Sequence, residues 1–208
     1  MEDINQFLVP LSLIINISIL WVGYRALSSW KKDYRSKRVT EIVDEVIEIS
    51  SEFCDELTIV SEFIRYIKMD IDSYKGGIRD DKKVENPHQV LYIENQGKED
   101  SKRLLEMMKT PIILIARMRA LRQKAHYYKV ENYEQLNVAV EQMEWFMKRI
   151  NQFALMISSS HLNWHNSKVD EARKAQFAID SEGLKSKASE LRLSVHGFAN
   201  DNYKAEVG

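Results

Sequence analysis

His161 and His165 stand four positions apart. On a helix that spacing brings two imidazoles to one face, the arrangement that a bound metal ion needs. Glu144, Asp170 and Glu171 are the carboxylates near them in the chain. The surrounding residues do not complete such a site. A zinc-protease helix carries Glu directly after its first His, and Leu162 stands there. The Glu-x-x-His pair of di-iron bundles occurs only from Glu85 to His88, with Pro87 inside it. Histidines beside Asn163 and Trp164 fit the end of a helix better. Ser158-Ser159-Ser160 lacks the flanking glycines of a nucleophile elbow, and neither G-x-x-x-x-G-K-[ST] nor G-x-G-x-x-G occurs. Gly76-Gly77 reads as a helix stop. Cys54, the one cysteine, has no partner for a disulfide or a thiolate cluster and suits a half-buried helix position in a reducing compartment. No catalytic, cofactor-binding or metal-binding residue is therefore assigned, and the chain reads as a non-enzyme without cofactor.

The elements around these residues begin with an apolar opening. Phe7 to Tyr24 is 18 residues without a charge, and Arg25, Lys31, Lys32, Arg35, Lys37 and Arg38 follow. Roughly 20 apolar residues cross a bilayer core of about 30 Å, so this segment predicts a transmembrane signal-anchor helix over 7–30 after a short external tail, 1–6. The basic residues all lie after it, which predicts the N terminus outside and the rest of the chain in the cytoplasm, at the inner or plasma membrane of the cell. The acidic tail, with Glu2 and Asp3, argues against a cleaved signal. Ser12, Asn16, Ile19 and Gly23, continued by Ala26 and Trp30, fall on one arc at spacings of four and three. Small and polar residues on such an arc let helices approach and hydrogen-bond, so these four are the candidates for transmembrane association.

The 208 residues carry a net charge of −1, with seven Gly and three Pro. That composition suits one helix-rich cytosolic domain over 33–199 and argues against a nucleic-acid binder. From Asp33 to Tyr74 there is neither Gly nor Pro, and Ile42, Val46, Ile49, Phe53, Leu57, Val60, Ile64, Ile67 and Ile71 recur at threes and fours, the pattern of a long amphipathic helix. A long loop is expected over 76–100, with a brief strand over Val90–Ile93. A second helix is expected over 101–128 with a kink at Pro111. A third starts near Asn132 and ends between Ser160 and Asn166; its Met143, Trp145, Phe146, Met147, Phe153 and Met156 suit a core touched by two neighbours, or in part a partner-binding face. A fourth runs from Ser167 to near Gly197, weakened by Gly183, before a frayed tail over 200–208. The expected fold is all-α: a single N-terminal transmembrane helix followed by an antiparallel bundle of about four long helices.

Glu41, Glu45, Glu48, Glu52 and Glu56 line one face of the first long helix, while Lys109, Arg117, Arg119, Arg122, Lys124 and Lys129 crowd a stretch with no acidic residue. If the two helices fold back on each other, Arg119 comes near Glu56 and Lys129 near Asp44 to Val46. The charges then either pair within the chain or, through Arg117, Arg119, Arg122 and Lys124, recognise an acidic partner or anionic lipid headgroups. The function expected is a single-pass, membrane-anchored scaffold or adaptor that oligomerises or recruits a partner at the bilayer by raising local concentration. A membrane-acting effector or channel-complex subunit of a stress or phage-defence type is the alternative, and an enzyme with a metal in the bundle core the third. Partners expected are further copies of the chain or a membrane protein, without nucleic acid.

Overall fold

The buried stripe of the first helix follows the apolar series read from the sequence. Ile42, Val46, Ile49, Phe53, Leu57, Val60, Ile64, Ile67 and Ile71 are all removed from solvent in the computed structural model. It describes the backbone at residues 2–77 and 86–207 and the side chains at 13, 15–75 and 86–204. The helix that carries them, α1 (Glu2–Ser73), has 72 residues. At 1.5 Å per residue it is about 110 Å long. It ends in a 3-10 turn, Tyr74–Gly77, at the glycine pair.

The remaining elements are α2 (Pro87–Tyr92), a π-turn (Ile93–Gly97), α3 (Lys98–Met107), α4 (Lys109–Tyr128), α5 (Glu134–Ser158), α6 (Ser167–Phe177) and α7 (Ser181–Val207). Helices α4 and α7 flank α1 on two sides, and α5 packs against α3, α4 and α7. Both flanking helices run against α1. Arg117 reaches Glu52 where Lys124 reaches Glu45, and Lys185, Arg192 and Tyr203 meet Glu62, Asp55 and Asp44 in descending order. The shared core is built from Phe53, Phe146 and Phe153 with Ile49, Leu57 and Leu191, all fully buried. It begins at Val39, and side chains from Ile15 to Arg38 are exposed apart from a partly covered Ser36.

The membrane-crossing helix expected over 7–30 is corrected. Among the described residues no helix is long and apolar enough to cross a membrane. Among the apolar side chains described from Leu13 on, Asn16, Ser18 and Gly23 dilute the run, and Arg25 ends it. After it α1 continues without a break through Arg25, Lys31 and Lys32 into the bundle. The side chain of Ser12 and those before it lie outside the described residues. The single-pass fold class, and the placement in a cell membrane with the N terminus outside, are corrected with it; the all-helical architecture stands.

Smaller differences have local causes. The chain is helical from Pro87 onward, where a loop and a strand over Val90–Ile93 are expected. Gly97 breaks no helix there; it lets two backbones meet, since a Cβ on it would stand 2.0 Å from the carbonyl oxygen of Ile157. Pro111 lacks the N–H that would bond the carbonyl of residue 107, and its ring crowds that carbonyl, so the second helix breaks at Met108 into α3 and α4. Helix α5 stops earlier than expected, at Ser158. Asn132 does not cap it with its side chain, because Tyr133 holds the N-cap position. The fourth helix is two. Asn166 caps α6 by accepting from the Lys168 amide at 3.0 Å, and Asp180 opens α7 by accepting from the Gly183 amide at 2.8 Å. Gly183 therefore sits in a first turn, where its cost is small. The tail is helical to Val207, tied by Asn202, whose amide accepts from the Glu131 N–H at 3.1 Å and donates to the Glu131 carbonyl at 3.0 Å.

Candidate functional site

The end of α4 fixes where α1 leaves the bundle. Arg35 donates from Nε to the carbonyl of Tyr128 and from Nη2 to that of Lys129, each at 3.0 Å. Beyond this clamp the two neighbours of α1 have ended, and the helix projects. Leu20 is 73% exposed, Tyr24 74%, Ile19 63% and Trp30 60%. Apolar side chains point outward on every side, whereas a helix at the surface of a globular protein normally keeps one polar face. Contacts within the projection cover its aromatic rings only in part. The Arg25 guanidinium lies 5.1 Å from the Trp21 ring centre, and Trp30 stacks on Tyr34 at 5.7 Å.

Asn16, Ile19 and Gly23 all lie on this projection and are exposed. A Cβ added to Gly23 would meet nothing within 4 Å. The arc read from the sequence is thus an accessible surface from Asn16 through Trp30, and Ser12 falls outside the described side chains.

The basic run on α4 divides. Arg117 stands 3.8 Å from Glu45 and 3.9 Å from Glu52, and Lys124 is 3.9 Å from Glu45. Arg119 turns instead to Glu144 on α5, 2.8 Å away. Arg122 faces no carboxylate among the described residues. The acidic stripe and the basic run do face each other, but the register differs from the expected one: Arg119 is not beside Glu56. These pairs are solvent-exposed, so each is worth about 0–1 kcal/mol.

At the opposite end, side chains that sequence reasoning passed over form a buried polar cluster. Arg173 is fully buried and donates to Gln89 and to Asp170. The hydrogen bond from Arg173, helped by Lys174, holds the Asp170 carboxyl below the usual carboxylate range. Tyr92 donates its hydroxyl to Asp100 Oδ2 at 2.8 Å, and burial, with that carboxylate, pushes its ionisation up. Burial also lowers the His88 imidazole, with Lys75 adding to the effect. A cavity of about 310 Å³ opens beside them, lined among others by Lys68, Asp72, Lys75 and His88, with Lys75 already bound to Asp72 at 2.6 Å. This chemistry joins α6 to α2. Only the Glu85–His88 spacing hinted at it, and Glu85 lies outside the described residues.

His161 and His165 are both exposed in the irregular segment between α5 and α6, so they share no helix face. Among the described residues no group of three or more His, Cys, Asp or Glu is placed to hold a metal. On α5, Met143, Phe146, Met147 and Phe153 are core, while Trp145 stays 43% exposed beneath Lys187, whose Nζ is 4.0 Å from the ring centre. Among the described residues, the longest run of exposed large apolar side chains lies on the projecting part of α1. Compared with known protein families, curated proteins and solved structures, the chain matches none.

Proposed function

We propose that the chain is a non-catalytic helical scaffold, in which the projecting part of α1 joins the bundle to further copies of itself or to a protein partner. The observation that carries this reading is the run of apolar side chains at Leu13 and from Ile15 to Trp30, each half or more exposed where it is Leu, Ile, Val, Trp or Tyr. Contiguous apolar surface of this extent is costly to leave in water, at about 25 cal/mol per Å², and marks an interaction surface. The bundle behind it supplies a fixed body, and joining several such bodies raises local concentration without new chemistry.

The test is the solution mass of the full chain by sedimentation across a hundredfold concentration range, beside a variant with Ile17, Leu20 and Tyr24 changed to Glu. The reading expects a defined oligomer, or a stoichiometric complex with a co-purified protein, that the variant loses while its circular dichroism is unchanged. A monomer at every concentration with no protein bound would overturn it. So would a chain that leaves water only for detergent micelles or lipid vesicles, with its mass there remaining monomeric.

A further inference from the structure

We infer that the projecting helices of two copies pack antiparallel about a two-fold axis, with Ile19 of one copy against Gly23 of the other and Asn16 against Ala26. This rests on the self-association proposed above and adds its geometry. Three observations lead to it.

First, the face concerned is left open by the fold's own elements. Asn16, Ile19, Gly23 and Trp30 are exposed on the projection. Further down α1, Lys37 and Asp44, at the same heptad spacing, stay exposed beside α7. Gly23 lies about 140° around α1 from Cys54, which donates to the Ala188 carbonyl of α7 at 3.2 Å. A second chain can therefore lie along this face without displacing α7.

Second, the sizes fit. Gly23 leaves open space and Ile19, one turn away, is 63% exposed. Antiparallel pairing sets the large side chain over the small one twice, once on each side of the axis, and gives the self-complementary contact that a two-fold dimer requires. Trp30 then falls level with Ser12, again large against small.

Third, the charges choose the direction. Arg25, Lys31, Lys32 and Lys37 are all exposed on the projection. Parallel pairing would set each beside its own copy, and like charges so placed repel. Antiparallel pairing separates the two basic groups along the dimer and brings each toward the end of the other chain that carries Glu2 and Asp3.

Full-length chains with Cys54 changed to Ala supply the test. One carries Ile19→Cys and the other Gly23→Cys, under different tags. Mild oxidation of the mixture is expected to give a disulfide between the two tags, with little from either chain alone. The pair Asn16→Cys with Ala26→Cys repeats the test without filling Gly23. Gly23→Leu, which removes the space for Ile19, is expected to raise the dimer dissociation constant about tenfold or more. Crosslinking of Gly23→Cys with itself in a sample that sediments as a dimer would overturn the orientation and leave self-association standing. A dimer constant unmoved by Gly23→Leu would also overturn the orientation. Monomeric mass in the parent chain would overturn both.

Discussion

Arg35 reaches across 93 positions of sequence to hold the carbonyl of Tyr128. With its second bond, to Lys129, it satisfies the end of α4 from the last turn of α1 that touches the bundle. The last carbonyls of a helix have no partner within it, and a guanidinium there also meets the negative end of the helix dipole. Arg35→Ala is expected to destabilise the bundle by about 1 kcal/mol, a loss of roughly 2–4 °C in Tm at this size, with Arg35→Lys recovering only part. Lys31→Ala, on the open projection, is expected to leave Tm unchanged. Equal effects of the two, measured by thermal unfolding, would remove the capping role.

Lys129 closes the same helix end with φ at 54°, in the left-handed region. The Val130 amide bonds the Ala125 carbonyl at 2.9 Å and the Lys129 amide bonds that of His126 at 3.2 Å, the paired bonds of a Schellman cap. Only glycine adopts this backbone without a steric cost. Because Arg35 uses the carbonyl of Lys129 and not its side chain, Lys129→Gly is expected to raise stability by about 0.5–1 kcal/mol and keep the clamp. Chemical unfolding reads this, and a loss of stability would contradict it.

Two glycines should respond to alanine with opposite sign. At Gly97 a methyl would meet the Ile157 carbonyl oxygen at 2.0 Å, so the π-turn or α5 must move. Gly97→Ala is expected to cost about 1–3 kcal/mol. Gly197, inside α7, has nothing within 4 Å of an added Cβ. Gly197→Ala is expected to stabilise by about 0.5–1 kcal/mol, through helix propensity alone. Unfolding free energies of the two single variants decide the matter, and the same sign for both would contradict the packing of Gly97.

What could be read in the chain beforehand was set by periodicity. The buried series from Ile42 to Ile71 and the buried Met143, Phe146 and Phe153 appear where their spacing puts them, because burial of a helix stripe is a local rule repeated many times. Features that depend on where one helix meets another were not legible. Gly97 looks like a loop residue until Ile157 lies over it. Arg35 looks like one more basic residue after an apolar run until α4 ends beside it. The opposed charges of α1 and α4 were foreseen, but their register was not, since a break at Pro111 and turns of unknown length stand between them. The apolar opening was read as a membrane span from its composition. Composition alone cannot separate that from a helix that projects from a bundle with its apolar side chains exposed.

Acid should weaken the α6 anchor in a specific way. The Asp170 carboxyl is held below its usual value by Arg173, so the folded protein binds a proton there less readily than the unfolded chain does. The stability this supplies is present above the unfolded value of about 3.9 and is lost as pH falls through the folded one. The parent chain should therefore lose stability from about pH 5 downward. Asp170→Asn should be less stable at pH 7, where it leaves the buried Arg173 with one anion fewer, and should show a shallower acid slope, so that the two curves converge. Denaturant titrations from pH 3 to pH 7 measure this, and parallel curves would show that the pair contributes nothing.

The facing charges of α1 and α4 make a prediction about salt. Arg117 and Lys124 stand 3.8 Å and 3.9 Å from Glu45, in a seam where these side chains are between 37% and 57% exposed. Pairs of this kind give about 0–1 kcal/mol each and are screened when the Debye length shrinks to about 3 Å at 1 M salt. Changing Arg119, Arg122 and Lys124 together to Gln should cost no more than about 1–2 kcal/mol at low salt, and the difference should vanish at 1 M salt. A cost that persists in high salt would mean that the aliphatic stems, packed along the seam, carry the effect. Arg122 gives the internal control, because no described carboxylate faces it. Arg122→Gln alone should leave stability unchanged at any salt, so a partner lost on that single change would mark this stretch of α4 as a recognition surface and not as part of the frame.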